Sequence, residues 1–219
     1  GFGKEITIER LQAIYKELIA QGAHNINLVT PTHFTNAIIE SLQDKLSVPV
    51  VYNTSGFEAV DTLRKLQGKV QIYLPDFKYS DNIAAIKYSN APDYFRIAAA
   101  AIKEMYRQTG DYRLDDDGIL QSGVVIRHLI LPGNIENSKG VIDWVAENFK
   151  QGQILFSLMH QYIPCGDSYK YPEINRKISK AEYEEVENYL FASGIEDGFV
   201  QEEDAASNEF VPLFDGSGI

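Results

Sequence analysis

Cysteine is almost absent from this chain of 219 residues, in which Cys165 is the only one. An internal disulfide is therefore excluded, and a single thiol is typical of proteins from a reducing compartment. We accordingly expect a cytoplasmic protein. The histidines do not compensate as metal ligands, because none of the four is spaced as a ligand set would be: His24, His33, His128 and His160.

Long hydrophobic runs are also lacking. No stretch of about 18 apolar residues is present that could span a membrane, and no charged segment followed by an apolar one indicates a signal peptide. We therefore expect no membrane partner. The chain begins at Gly1 without a methionine, so we expect part of the natural protein to precede it.

Positive charge is in deficit, since 20 Lys and Arg face 31 Asp and Glu and leave a formal net charge of −11. Such a surface repels phosphate backbones, so nucleic acid is not an expected partner. With 44% apolar residues the chain can build one substantial core. We predict a single domain over residues 1–219, in which a tail from about residue 198 packs on the body.

Helical and strand-like patterns alternate along the chain. Apolar residues at helical spacing predict helices over residues 8–19, 34–46, 60–68, 92–108, 138–151 and 180–192. Ser179 and Glu182 predict a capping box at the start of the last of these helices. Short apolar runs between them predict strands over residues 25–29, 48–52, 70–75, 124–131 and 154–159. Alternation of this kind favours right-handed crossovers and a parallel sheet.

Polar and ionisable residues follow each predicted strand, where α/β folds build their sites. Asp76 and Lys78 lie two residues apart and therefore share one face of their strand. They could point together into a barrel mouth, or form an ion pair that closes the strand end. Arg127 and His128 are adjacent, so only one of them can face the interior. An arginine there needs a nearby negative charge. Asp76 or an anionic ligand group could supply it.

Two other strand ends carry candidate ligand groups. Thr30 and Thr32 follow the first strand, where their hydroxyls could bind a polar ligand or cap the next helix. Asn53 follows the second strand and could donate a hydrogen bond to a ligand, while Ser55 or Gly56 turns the chain.

Several stretches together resemble one family, and they occur in order along nearly the whole chain. They are His24–Phe34, Tyr52–Gly56, Tyr73-Leu74-Pro75-Asp76-Phe77-Lys78-Tyr79, Arg127-His128-Leu129 with Leu131-Pro132-Gly133, Ser157-Leu158-Met159 and Gln161-Tyr162. The chain resembles radical S-adenosylmethionine (SAM) proteins, in the branch related to pyruvate formate-lyase activating enzyme.

The resemblance implies a partial (β/α)6 barrel, similar to a TIM barrel, with parallel strands. In that family a [4Fe–4S] cluster is held by a C-x3-C-x2-C loop after the first strand. The matching segments begin after that loop, so we expect this chain to lack the first strand and the cluster loop. The cluster would belong to the full-length protein, because Cys165 alone cannot ligate one.

The resemblance also implies site residues. Thr30 and Thr32 occupy the place of a Gly-Gly-Glu segment that binds the SAM amino group, which is a departure from the family pattern. Asn53, Asp76, Lys78 and Arg127 fall where related enzymes contact SAM. Asp76 suits a ribose hydroxyl or the ammonium, whereas Lys78 and Arg127 suit the carboxylate.

The activity implied for the full-length protein is reductive cleavage of SAM to a 5′-deoxyadenosyl radical that abstracts hydrogen. Its implied partners are a glycyl radical enzyme or other protein substrate, and an electron donor such as flavodoxin or ferredoxin. This chain alone is expected to be inactive. Two alternatives remain: a barrel without a cluster that binds ligands or regulates, and a metal-independent enzyme that uses Asp76 and Lys78 for acid–base or Schiff-base chemistry.

Overall fold

A computed structural model describes residues 4–200 of the chain. The α-helices are α1 (Ile8–Ala20), α2 (Thr35–Ser41), α3 (Val60–Lys65), α4 (Asn82–Ser89), α5 (Tyr94–Thr109), α6 (Ile135–Asn148) and α7 (Lys180–Ala192). The strands are β1 (Ile26–Val29), β2 (Val50–Thr54), β3 (Ile72–Pro75), β4 (Arg113–Leu114), β5 (Leu120–Leu129), β6 (Leu155–Met159) and β7 (Gly198–Val200). The expected packing of the tail falls almost wholly outside the described residues. No helix within them is long and apolar enough to cross a membrane.

The strands form one seven-stranded sheet in the order β1-β2-β3-β5-β6-β7, with β4 paired to β5. Every pair along this order is parallel, and only the short β4 runs antiparallel. The predicted parallel α/β architecture is therefore confirmed. Among the described residues β1 and β7 do not pair, so the sheet is not closed into a full barrel.

The strand order follows the chain order, and this decides where the helices lie. Right-handed crossovers that always advance in one direction place all their helices on one face of the sheet. The core lies on that face, where strand residues such as Tyr52, Tyr73, Ile126 and Phe156 pack in one cluster with helix residues such as Ile102.

The opposite face, which we call the open face, has two kinds of residue. Val51, Ile72, Val125 and Leu155 are buried there but do not belong to the core cluster. The register places a polar row nearer the carboxyl ends of the strands, because Asp76 lies beside Arg127 and Arg127 beside Ser157. The open face is thus apolar at one end and polar at the other.

The structure adds elements that the sequence patterns did not predict. Helix α4 escaped prediction because two of its apolar residues, Ile83 and Ile86, point outward and are 81% and 51% exposed. Its only clear signal is the N-cap Asp81, which accepts hydrogen bonds from the backbone N–H groups of Ile83 and Ala84. The two-residue β4 and three-residue β7 are too short to show a periodicity.

Other boundaries differ in length. The predicted helix over residues 34–46 is a 3-10 turn (Pro31–Phe34) followed by the short α2. Residues before 124, for which no helix or strand was predicted, form β4 and the first part of β5. The capping box predicted for α7 is present, because Ser179 and Glu182 exchange side-chain and backbone hydrogen bonds.

The structure also resolves which of Arg127 and His128 faces the core. His128 is fully buried on the helix side, where Nδ1 lies 2.7 Å from the carbonyl oxygen of Phe77 and Nε2 lies 2.8 Å from Ser138 Oγ. Since a carbonyl only accepts, Nδ1 carries the proton and Nε2 accepts from the hydroxyl. Burial lowers the pKa of His128 to about 4. His128 is thus the hydrogen-bonded packing residue, and Arg127 faces the open side.

This arrangement predicts a pH dependence of stability. The unfolded His128 titrates near 6.5 and the folded one near 4. The unfolded state therefore binds the extra proton first, and stability is lost as the pH falls through this window. From pH 7.5 to pH 4 the loss from this residue should be about 3 kcal/mol. Urea unfolding of His128→Gln should show a shallower decline than the parent chain, whereas His24→Gln, at an exposed position, should not. Equal slopes for all three proteins would contradict the assignment.

Candidate functional site

The open face carries a cluster of four side chains at the carboxyl ends of β2, β3 and β5. Arg127 Nη2 lies 2.7 Å from Asp76 Oδ1 and donates a 2.7 Å hydrogen bond to Asn53 Oδ1. Lys78 Nζ lies 3.4 Å from Asp76 Oδ2. Two cations thus share one carboxylate, and the cluster is locally positive although the whole chain is acidic.

Arg127 contacts Asp76 and Asn53, but one of its hydrogen-bond donors has no acceptor among the described residues. Its side chain is 24% exposed, yet its Nε is buried and has no hydrogen-bond partner among the described residues. A buried N–H without an acceptor costs about 1–3 kcal/mol, so such a group calls for an explanation. A ligand oxygen would satisfy it once the guanidinium, which is 24% exposed as a whole, turns its covered Nε toward the open face.

Backbone pairing brings Asp76 and Arg127 together. Pro75 has no N–H, and the pairing of β3 with β5 is interrupted there after Tyr73. It resumes in the same register as a bridge between Asp76 and Arg127, next to which Phe77 N donates to the Arg127 carbonyl at 2.7 Å. The sheet therefore fixes the two charged residues side by side at its polar end.

Thr30 and Thr32 are placed differently from the four clustered residues. Thr30 touches the site through its backbone, where its N–H donates to the Asn53 carbonyl at 2.9 Å. The Thr32 hydroxyl instead donates to Glu58 Oε1 at 2.5 Å. The structure thus brings together Asn53, Asp76, Lys78 and Arg127 of the predicted residues, and it turns the Thr32 hydroxyl toward another partner.

Glu58 was not predicted from the sequence. It is 1% exposed, and its Oε1 accepts from the hydroxyls of both Thr32 and Thr54. It therefore joins the segment after β1 to the end of β2, directly behind Asn53. Nothing in its sequence neighbourhood distinguishes it from a surface glutamate, because its partner Thr32 is 26 residues away.

A close backbone approach completes the site. Gly56 has φ 78°, and a Cβ there would lie 2.1 Å from the Asp76 carbonyl oxygen. The chain turns at this point so tightly against β3 that only glycine fits.

The described residues provide no ligands for a metal cluster. They contain no group of three or more His, Cys, Asp or Glu that could hold a metal ion, and Cys165 is exposed. A [4Fe–4S] cluster needs several converging thiolates. The donor set of this chain therefore does not fit a cluster, whereas the open-face cluster fits a small polar ligand with a carboxylate.

Comparisons with known proteins agree with the fold. No family model matches the chain. The uncharacterized protein MJ0674 of Methanocaldococcus jannaschii is 30% identical over 76% of this chain. The match covers 45% of that relative, so the chain spans less than half of its length.

Among solved structures, the chain is similar to a domain of pyruvate-formate lyase-activating enzyme from Bacteroides vulgatus. The TM-score is 0.57 at 14% sequence identity, covering 81% of this chain and 98% of that domain. At this identity the likeness establishes the architecture alone, which is a parallel α/β sheet with surrounding helices.

Alanine substitutions at two glycines should distinguish the steric clash expected at Gly56 from the ordinary cost of a positive φ. Gly56 and Gly68 have nearly the same φ, 78° and 79°, but a Cβ at Gly68 would meet nothing within 4 Å. Gly68→Ala should cost about 1 kcal/mol of unfolding free energy from backbone strain. Gly56→Ala should cost about 1–3 kcal/mol more, because the clash displaces backbone at the site. Chemical denaturation of the two variants measures the difference, and equal losses would contradict the approach at Gly56.

Proposed function

We propose that the open-face cluster binds S-adenosylmethionine, and that this chain is the SAM-binding part of a radical SAM enzyme similar to the activating enzymes of glycyl radical enzymes. The observation that carries the proposal is the buried, unpartnered Nε of Arg127 beside Lys78, Asp76 and Asn53. The sequence resemblance and the shared fold support it.

Each clustered side chain suits one part of the ligand. Arg127 Nε and the Lys78 ammonium are donors for the α-carboxylate. Asp76 accepts hydrogen bonds, so it suits a ribose hydroxyl or the ammonium. Asn53 can donate through its amide nitrogen while its oxygen stays on Arg127. The apolar residues Val51 and Ile72, behind the polar row, would limit water on the ligand side of the sheet.

The radical chemistry is proposed for the whole protein rather than for this chain. A [4Fe–4S] cluster, as in the enzymes that the sequence resembles, would supply the electron for the reductive cleavage of SAM. The residues of this chain do not fit that cluster, so their part is to bind and orient the substrate. A glycyl radical enzyme as hydrogen donor, and flavodoxin or ferredoxin as electron donor, remain proposals from the same resemblance.

A second candidate is a barrel that binds such a ligand without cleaving it, because residues 4–200 contain no group that could ligate a metal cluster. A Schiff-base enzyme is less well supported. Lys78 is 43% exposed and lies beside a carboxylate, not in the apolar pocket that activates such lysines.

Two ligands that differ in the amino-acid moiety test the proposal. S-adenosylhomocysteine has the α-carboxylate, whereas 5′-methylthioadenosine lacks the amino-acid group. A charge-assisted hydrogen bond contributes about 1.5–3 kcal/mol, so the parent chain should bind the former about 10- to 100-fold more tightly. Arg127→Met should remove most of this preference, as measured by isothermal titration calorimetry.

Arg96→Met is the matched control, because Arg96 is an exposed arginine paired only with the nearby Asp93 in the described structure. It should retain the full preference. If the parent chain binds the two ligands equally, or if Arg127→Met and Arg96→Met behave alike, the carboxylate role of Arg127 is wrong. If neither ligand binds the parent chain, the proposed SAM site itself is wrong.

A further inference from the structure

Lys78 lies beyond the end of β3, and its backbone is held by side chains instead of by a neighbouring strand. Its N–H donates to the Tyr94 hydroxyl at 3.1 Å, and its carbonyl accepts from Asn137 Nδ2 at 2.9 Å. Tyr94 begins α5 and Asn137 lies in the first turn of α6, so two helices hold one residue from opposite sides.

The Tyr94 hydroxyl occupies the place of a missing sheet hydrogen bond. The last regular bond between β2 and β3 runs from Asp76 N to Thr54 O at 2.9 Å. The next would join Lys78 N to the carbonyl of Gly56, but the chain turns away there. The hydroxyl bridges the gap, because it accepts from Lys78 and lies 2.9 Å from the carbonyl oxygens of both Ser55 and Asp76.

The position of this hydroxyl is fixed by its surroundings. Tyr94 is 2% exposed, its ring stacks on Phe57 at 5.8 Å, and it meets Tyr79 edge-on at 5.4 Å. Burial raises the pKa of Tyr94 far above its usual range, so the hydroxyl keeps the proton that it shares between the two carbonyls.

Asn137 completes the clamp from the other side. It is 5% exposed, and its Oδ1 accepts from Ser80 N at 2.8 Å while its Nδ2 holds the Lys78 carbonyl. One turn later Gly140 leaves room for Ser80, since a Cβ there would lie 2.6 Å from Ser80 Oγ.

We propose that Tyr94 and Asn137 are positioning residues that fix the Asp76–Lys78 segment, and through it the carboxylate and ammonium of the ligand site. This inference rests on the proposed function for its ligand, but its structural content is independent of it. Helices α5 and α6 hold the backbone of this segment. The Asp76–Arg127 and Asp76–Lys78 ion pairs therefore keep one geometry.

Tyr94→Phe and Tyr79→Phe form a matched pair. Each substitution removes the hydroxyl from one of two rings that lie against each other. The Tyr79 hydroxyl lies 2.7 Å from Ser89 Oγ and, in the described structure, makes no hydrogen bond to Asp76 or Lys78. Tyr94→Phe should weaken S-adenosylhomocysteine binding about 3- to 10-fold, the equivalent of one hydrogen bond. Tyr79→Phe should change it less than about twofold.

A double mutant shows whether Tyr94 acts through Lys78. In a Lys78→Met background, Tyr94→Phe should lose part of its effect on binding, because the ammonium that it positions is gone and only the Asp76 carboxylate is left to position. An undiminished effect there, or equal losses for Tyr94→Phe and Tyr79→Phe, would overturn the positioning role.

Amide hydrogen exchange without ligand gives a readout that does not depend on SAM binding. Tyr94→Phe should speed exchange at Lys78 at least about tenfold relative to Tyr79→Phe, with β5 unchanged. Asn137→Asp, which retains an acceptor for Ser80 but loses the donor to Lys78, should do the same. Unchanged exchange at Lys78 in both variants would overturn the clamp. Faster exchange in a chain that fails to bind the ligand would support the clamp and reject only the proposed function.

Discussion

The right-handed crossover is the constraint on which the rest of this structure depends. Because β1, β2, β3, β5, β6 and β7 follow one another in both sequence and space, each crossover places its helix on the same face. The hydrophobic core therefore lies between the helices and one side of the sheet. The other side is the open face, on which the carboxyl ends of the strands bring their polar residues together.

In the cluster on the open face, one hydrogen-bond donor has no acceptor among the described residues. Asp76 is shared by Arg127 and Lys78, and Asn53 takes another donor of Arg127. The Nε of Arg127 is buried and without a partner in the described structure. Arg127 and Asp76 are 24% and 21% exposed, so desolvation offsets part of the attraction between them. A ligand carboxylate would supply the missing acceptor.

The sequence was sufficient for the parts that depend on local pattern. Alternation along the strand correctly predicted that Arg127 and His128 face opposite sides, but not which of them faces the core, and the capping box of α7 was predicted from Ser179 and Glu182. Helix α4 was missed because its isoleucines face outward.

The contacts between distant residues could not be predicted in the same way. The Tyr94 hydroxyl, the Asn137 amide and the Glu58 carboxylate act on residues that are 16, 59 and 26 positions away. Their roles arise from tertiary packing, and no spacing in the sequence signals them. The Thr32 hydroxyl was expected either to bind a polar ligand or to cap the next helix, and the structure pairs it with Glu58.

The most direct test of the central claim is a crystal structure of this chain with S-adenosylhomocysteine. We expect the ligand on the open face, where its α-carboxylate accepts from Arg127 Nε and lies within reach of Lys78. Asp76 should contact the ribose or the ammonium. A ligand bound elsewhere, or one bound on the open face with Arg127 Nε still unpartnered, would contradict it.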